Sequence, residues 1–165
     1  MSWAAIWRWA PPVLWMAVIS LGSTDVLAAS ETSRFVGPVL RWLFPNASPD
    51  TLELAHAAIR KAGHVAEFAA LALLWGRALS WGTAVWQRGA VVRALLFTII
   101  FAILDETHQA FESGRTGSVI DVGWDSLGAI LAIVGRWAIV KCREGDTGSR
   151  GENNAPGVLK RADGD

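Results

Sequence analysis

The sequence predicts an all-α protein, an integral membrane bundle of about four transmembrane helices in up-and-down order. Three observations favour this fold class. Apolar residues make up 52% of the chain, and its 165 residues include ten tryptophans and no tyrosine. Tryptophan concentrates at membrane–water interfaces, where its ring lies among headgroups and its N–H stays hydrated. The apolar residues also fall into four runs, each close to the roughly 20 residues that a spanning helix needs.

Residues 1–140 are predicted to form one transmembrane domain. Residues 141–165 are rich in glycine and charge, and this composition predicts a disordered cytoplasmic tail. The predicted transmembrane helices cover about residues 9–23, 62–79, 90–109 and 119–140.

The first helix contains two adjacent prolines, Pro11 and Pro12. They suit the first turn of a helix, where a missing N–H costs little. An alternative is a cleaved signal peptide, in which the apolar run 13–21 precedes small residues. Residues 23–60 contain three further prolines. They are therefore predicted to be a long connection, with one short helix that begins near Ser48.

Basic residues near helix ends predict the orientation, because they favour the cytoplasmic side. The second connection has Arg77, Arg88 and Arg93 and no acidic residue, and Lys141 and Arg143 follow the last helix. Both termini of this multi-pass protein of the cell membrane are thus predicted to be cytoplasmic. The 15 basic and 15 acidic residues balance, so no nucleic-acid partner is indicated. A single cysteine excludes an intramolecular disulfide and a multi-cysteine zinc site.

Polar residues are predicted to gather at one end of the bundle. Alternating helices bring the start of the second, the end of the third and the start of the fourth to one membrane face. A charged side chain at mid-depth costs roughly 3 kcal/mol, so such residues favour a functional interpretation. The polar residues at these ends are Lys61, His64, Glu67, Asp105, Glu106, His108, Gln109, Asp121 and Asp125, with Arg115 in the loop between the last two groups.

Helical spacing places Asp121, Asp125 and Gly128 on one stripe of the last helix. Small residues let helices approach closely in lipid, so this stripe should face the bundle and carry both carboxylates inward. Structural alternatives stay open. Asp121 could cap its helix, and Lys61 could extend to the interface without a partner. His64 and Glu67 could belong to a structural hydrogen-bond network, His108 could be an exposed helix-end residue, and Arg115 could form a solvated loop pair with Glu112.

Three chemistries fit this set of residues. Asp105 or Glu106 could exchange protons with His64. Lys61 and Arg115 could hold a phosphate or carboxylate of an amphiphile. A divalent metal is a third possibility for the carboxylates and His64, but no spacing typical of a metal site is present. We therefore predict no metal site and no cofactor.

Three segments of the chain, taken together, resemble the VanZ-like family. They read Lys61-x-x-His64-x-x-x-Phe68, then Asp105-Glu106-x-x-Gln109-x-Phe111-x-x-Gly114-Arg115, then Asp121 followed by Gly128. Members of this family are small multi-helix membrane proteins, named for a protein linked to teicoplanin resistance. The chain departs from the family pattern at two positions. Arg60 precedes Lys61 where the family often has aspartate, and Asp125 stands where it often has asparagine.

The resemblance implies a protein of the cell envelope that contributes to glycopeptide resistance. We expect it to bind or modify a lipid-linked or headgroup component at the outer face. The expected partners are membrane lipids or lipid-linked envelope precursors, with a membrane-protein partner or a homo-oligomer left open. Two other functions stay open: a structural or assembly subunit whose polar cluster locks helix packing, and a small transporter that would need oligomers. The candidate catalytic residues are His64, Asp105, Glu106 and Asp121, and the candidate substrate-binding residues are Lys61, Gln109, Arg115 and Asp125.

Overall fold

The structure is a computed structural model that describes residues 2–23, 29–83, 87–111 and 117–153, without the side chains of 29–33, 35 and 143–153. Over these residues the chain forms five helices and no strand, which confirms the predicted all-α class. Contacts group residues 1–133 into one compact unit, and a second unit begins at Val134 within the last helix. The helices are α1 (Trp3–Gly22), α2 (Ala29–Leu43), α3 (Pro49–Leu79), α4 (Arg88–Phe111) and α5 (Val119–Asn153).

Two of the described helices are long and apolar enough to cross a membrane, namely α1 and residues Val119–Cys142 of α5. The predicted bundle of four spanning helices is therefore not established by length and composition. Helices α3 and α4 hold charged residues within their apolar runs, such as Glu67 on α3 and Arg93 on α4, and these are unfavourable in a lipid core.

Helix α1 begins six residues before the predicted start. The Ser2 side chain accepts a hydrogen bond from the Ala5 N–H and caps the helix. Pro11 and Pro12 consequently lie inside α1 rather than in its first turn. Because Pro11 has no N–H, the Trp7 carbonyl loses its usual donor within the helix. The Arg77 guanidinium of α3 donates to this carbonyl at 3.3 Å and so connects the two helices.

The segment predicted to be a long connection forms α2 and the first turns of α3. The predicted cap is present, since Ser48 Oγ accepts from the Thr51 N–H at 3.2 Å and Pro49 occupies the first turn. Helix α3 then continues without a break to Leu79, over 31 residues. Neither proline nor glycine interrupts residues 56–62, and charged residues there do not end a helix.

Helices α1, α3, α4 and α5 alternate in direction. Contacts of Arg77 with Trp7, and of Trp15 with the Glu67 carbonyl, show that α1 and α3 are antiparallel. The ring pairs Trp75–Phe97 and Phe68–Phe101, with centroids 5.1 and 6.1 Å apart, show the same for α3 and α4. Helix α5 runs parallel to α3. The core between these helices is apolar and includes Ile19, Phe68, Leu71, Phe101 and Ala129.

Candidate functional site

Three helix termini and the middle of a fourth helix meet at one end of the 1–133 unit, which we call the polar end. The last residues of α1 and α4 lie there beside the middle of α3 and the first turns of α5. Five carboxylates face one lysine and one histidine, so the polar end is acidic over the described residues. Its members are Ser23, Lys61, His64, Glu67, Asp105, Glu106, Gln109, Ser118, Asp121 and Asp125.

A buried hydrogen-bonded triangle joins α1 to α4. Ser23 Oγ donates to Asp105 Oδ2 at 2.9 Å, and Gln109 Nε2 donates to the same oxygen at 2.8 Å. Gln109 Nε2 also lies 3.3 Å from Ser23 Oγ. All three residues are buried. A buried carboxylate needs such donors, and here they come from within the protein.

Glu106 holds the start of α5. Its Oε2 accepts a hydrogen bond from the Ser118 N–H at 2.9 Å. The first N–H groups of a helix have no partner within the helix. The helix macrodipole is positive at this end and favours a nearby carboxylate. Gly117 packs directly on the Glu106 carbonyl, where a Cβ would collide with backbone. Glu106 therefore serves as an inter-helix cap.

Lys61 and Asp121 form the part of the polar end that is accessible from outside. Lys61 Nζ lies 2.9 Å from Asp121 Oδ1, and the side chains are 46% and 34% exposed. A pair this exposed contributes roughly 0–1 kcal/mol to stability. Its separation by a ligand would therefore cost little.

One turn deeper, Asp125 lies beside His64. The Asp125 side chain is 1% exposed, and its Oδ1 lies 3.9 Å from His64 Nδ1. Among the described residues, neither carboxylate oxygen of Asp125 has a hydrogen-bond partner. Buried polar groups without partners are rare and often mark functional sites.

The remaining predicted residues contribute less, or lie outside the described part. Glu67 is half-buried, and its backbone carbonyl accepts from Trp15 Nε1 at 2.9 Å. His108 is exposed. Arg115 and Glu112 lie outside the described residues. Over the described residues, no three His, Cys, Asp or Glu side chains are placed to hold a metal ion.

The small-residue stripe of α5 brings this helix against α3. Gly128 packs on the backbone carbonyl of Val65, where a Cβ would collide with the oxygen and lie 3.0 Å from the carbonyl carbon. This close approach brings Lys61 opposite Asp121 and His64 opposite Asp125. Gly135, further along the same stripe, has open space around it.

Two residues of the polar end, Ser23 and Ser118, and the adjoining Gly117 are absent from the predicted set. Each flanks an apolar run at a helix terminus that shares this end. The alternation of helices predicts their position next to Asp105 and Glu106, because it also brings the end of α1 to this membrane face.

A comparison with protein families agrees with the predicted resemblance. The model of the family described as VanZ/LLP1 matches residues 9–140, which is most of the chain. Neither a curated protein nor a solved structure matches this chain. The matched range contains every residue of the polar end, and it shows that the chain belongs to the VanZ/LLP1 family.

Proposed function

We propose that this VanZ-like chain is an integral membrane protein of the cell envelope whose polar end binds a headgroup or lipid-linked component at the outer face. In this role it contributes to glycopeptide resistance, including resistance to teicoplanin. The accessible Lys61–Asp121 pair carries the proposal, because it offers a cation and an anion at the surface above the half-buried His64 and the buried Asp125.

Exposed apolar side chains support insertion into a bilayer. One side of α4 presents large apolar residues about one turn apart, and α1 and α5 do the same. Contiguous exposed apolar surface of this kind is typical of contacts with a membrane or a protein. The exposed residues on α4 are Val92, Leu96, Phe97, Ile100, Ile103 and Leu104.

The proposed orientation places the polar end outside and both termini in the cytoplasm. The opposite end of the 1–133 unit carries Arg8, Arg77, Arg88 and Arg93, and basic residues favour the cytoplasmic side. Arg8 and Arg77 also stack on tryptophan rings, at 4.5 Å from Trp9 and 4.7 Å from Trp81. Tryptophan and arginine together suit the headgroup layer.

The hydrogen bonds divide the predicted site residues into two groups. Asp105, Glu106 and Gln109 are buried and bonded to residues outside α4, so we assign them to packing. Lys61 and Asp121 are accessible, and we assign ligand contact to them, with His64 and Asp125 behind them. Binding thus fits the geometry better than catalysis by Asp105 or Glu106.

The test compares teicoplanin susceptibility in cells that express the wild type or variants at equal membrane abundance. Asp121→Asn and Lys61→Met should lose protection while abundance stays unchanged. Glu53→Gln, an exposed carboxylate-to-amide change on the same α3 helix as Lys61, serves as the control. Full protection by both polar-end variants would contradict the proposal.

A second function, that of a structural or assembly subunit, is favoured by the triangle of Ser23, Asp105 and Gln109 and by the Glu106 cap. In that case the polar end would only lock the helices together. The two functions differ in one measurable respect. For a structural subunit, protection would follow membrane abundance across all variants, including Asp121→Asn.

A further inference from the structure

An apolar groove lies between α3 and α5, directly below the Lys61–Asp121 pair. Its volume is about 560 Å³, within the range of about 300–1,000 Å³ typical of small-molecule sites. Apart from Lys61, which lies about one turn from the Ala58 end, apolar side chains line it. Those that matter here are Ala58, Ala62, Ala66 and Ala69 on α3, and Leu131 and Ala132 on α5.

We propose that this groove holds an acyl chain of a phospholipid, with the lipid phosphate bound to Lys61. The inference rests on the proposed function, because it requires α3 and α5 to lie in a bilayer. It deepens that proposal by naming the chemical class of the ligand, a diacyl amphiphile with a phosphate in its headgroup.

The groove below Lys61 is close in length to one leaflet. Lys61 and Ala69 are eight residues apart on α3, which corresponds to roughly 12 Å along a helix. The hydrocarbon core of a bilayer is about 30 Å thick, so one leaflet contributes about half of that. Trp124 lines the same end as Lys61 and is exposed, as expected of a residue at the level of the headgroups.

The Lys61 ammonium complements a phosphate, within a polar end that is acidic overall. An ammonium group has three N–H donors, and Asp121 lies on one side of Lys61 only. A phosphate oxygen can therefore approach Lys61 without complete separation of the ion pair. No other cationic side chain lines the groove in the described part of the chain. Lys61 is accordingly the residue that would distinguish a phospholipid from an uncharged diacylglycerol.

Gly128 on α5 and the alanines on α3 together create the groove. Gly128 lets α5 approach the α3 backbone at Val65, and the small alanines on either side of this contact leave space that larger residues would fill. The groove is thus a consequence of alanine spacing on α3 at positions 58, 62, 66 and 69, which lie on one face of the helix.

The test uses the full chain in nanodiscs that contain phosphatidylglycerol with a diazirine in one acyl chain. After irradiation, mass spectrometry should locate adducts on groove residues of α3 and α5. Ala66→Leu fills the groove and should reduce these adducts severalfold. Ala138→Leu, the same change at an exposed position of α5 that does not line the groove, should leave them unchanged.

A second variant tests the headgroup contact. The wild type should favour the phosphatidylglycerol probe over a diazirine diacylglycerol by about two- to fivefold, the scale of a half-exposed ion pair. Lys61→Met should abolish this preference and keep labelling of the groove. Adducts spread evenly over exposed apolar residues, or unaffected by Ala66→Leu, would overturn the inference. Groove adducts together with full protection by Asp121→Asn and Lys61→Met would retain the inference and contradict the proposed function.

Discussion

Asp125 Oδ1 lies 3.9 Å from His64 Nδ1, and both carboxylate oxygens of Asp125 are buried without a hydrogen-bond partner among the described residues. The other buried carboxylates of the polar end differ from it. Asp105 accepts from two side chains, and Glu106 accepts from the start of α5. Asp125 is therefore the residue at which a neutral side chain should fit its surroundings better than the native one.

We predict that Asp125→Asn raises the melting temperature of the purified protein. A buried carboxylate without hydrogen-bond partners is destabilising, and an amide of nearly the same size carries no charge. For a chain of this length, about 1 kcal/mol shifts the melting temperature by about 2–4 °C. Thermal unfolding in detergent would measure the shift, with exposed Glu53→Gln as the control. A fall of several degrees would mean that the Asp125 charge holds the fold together.

The Ser23–Asp105 hydrogen bond should contribute measurably to the packing of α1 on α4. Ser23→Ala leaves Asp105 with one donor fewer in a buried place, at a cost of about 1–3 kcal/mol. Asp105→Asn should cost a similar amount, and the double variant should lose less than the two separate losses combined. Melting temperatures of the four proteins give this coupling.

Ser20→Ala provides the matched control for that cycle, because Ser20 is exposed on the same helix. Its effect on the free energy of unfolding should be smaller than about 0.5 kcal/mol. Additive losses in the double variant would show that the two side chains act independently, contrary to the bond seen at 2.9 Å.

Close approach of α5 to α3 should depend on Gly128. A Cβ at this position collides with the Val65 carbonyl, which belongs to rigid backbone. We expect Gly128→Ala to destabilise the protein by about 1–3 kcal/mol, the usual cost of overpacking. Gly123→Ala is the control on the same helix, since nothing lies within 4 Å of a Cβ there. It should be neutral or stabilising by up to about 1 kcal/mol. Equal melting temperatures of the two variants would contradict the close packing.

The meeting of polar residues at one end could be predicted from the sequence, because alternating helices force it whichever way the chain is inserted. The roles of individual carboxylates could not. Asp105 and Glu106 are neighbours in one motif, yet one bonds to α1 and the other to α5. That difference depends on which helix each side chain faces. The sequence also predicts a connection where α2 lies, because three prolines fall in residues 23–60, and one of them, Pro38, is inside this helix.

Pro11 and Arg77 should be energetically coupled. Pro11 leaves the Trp7 carbonyl without its helix donor, and Arg77 Nη1 donates to it at 3.3 Å. Arg77→Leu should therefore cost about 0.5–1.5 kcal/mol in the wild type. In a Pro11→Ala background the cost should become smaller, because the backbone N–H that the substitution restores can supply the bond within α1. Melting temperatures of the single and double variants measure this difference.

Arg93→Leu is the control for the loss of an arginine at this end of the protein. Arg93 Nε donates to Gly89 O within α4, so its removal should have the same effect with or without Pro11. An equal cost of Arg77→Leu in both backgrounds would show that Arg77 does not replace the missing donor. If the cost of Arg77→Leu falls in the Pro11→Ala background and that of Arg93→Leu does not, Pro11 is the reason why the backbone of α1 needs a donor from an α3 side chain.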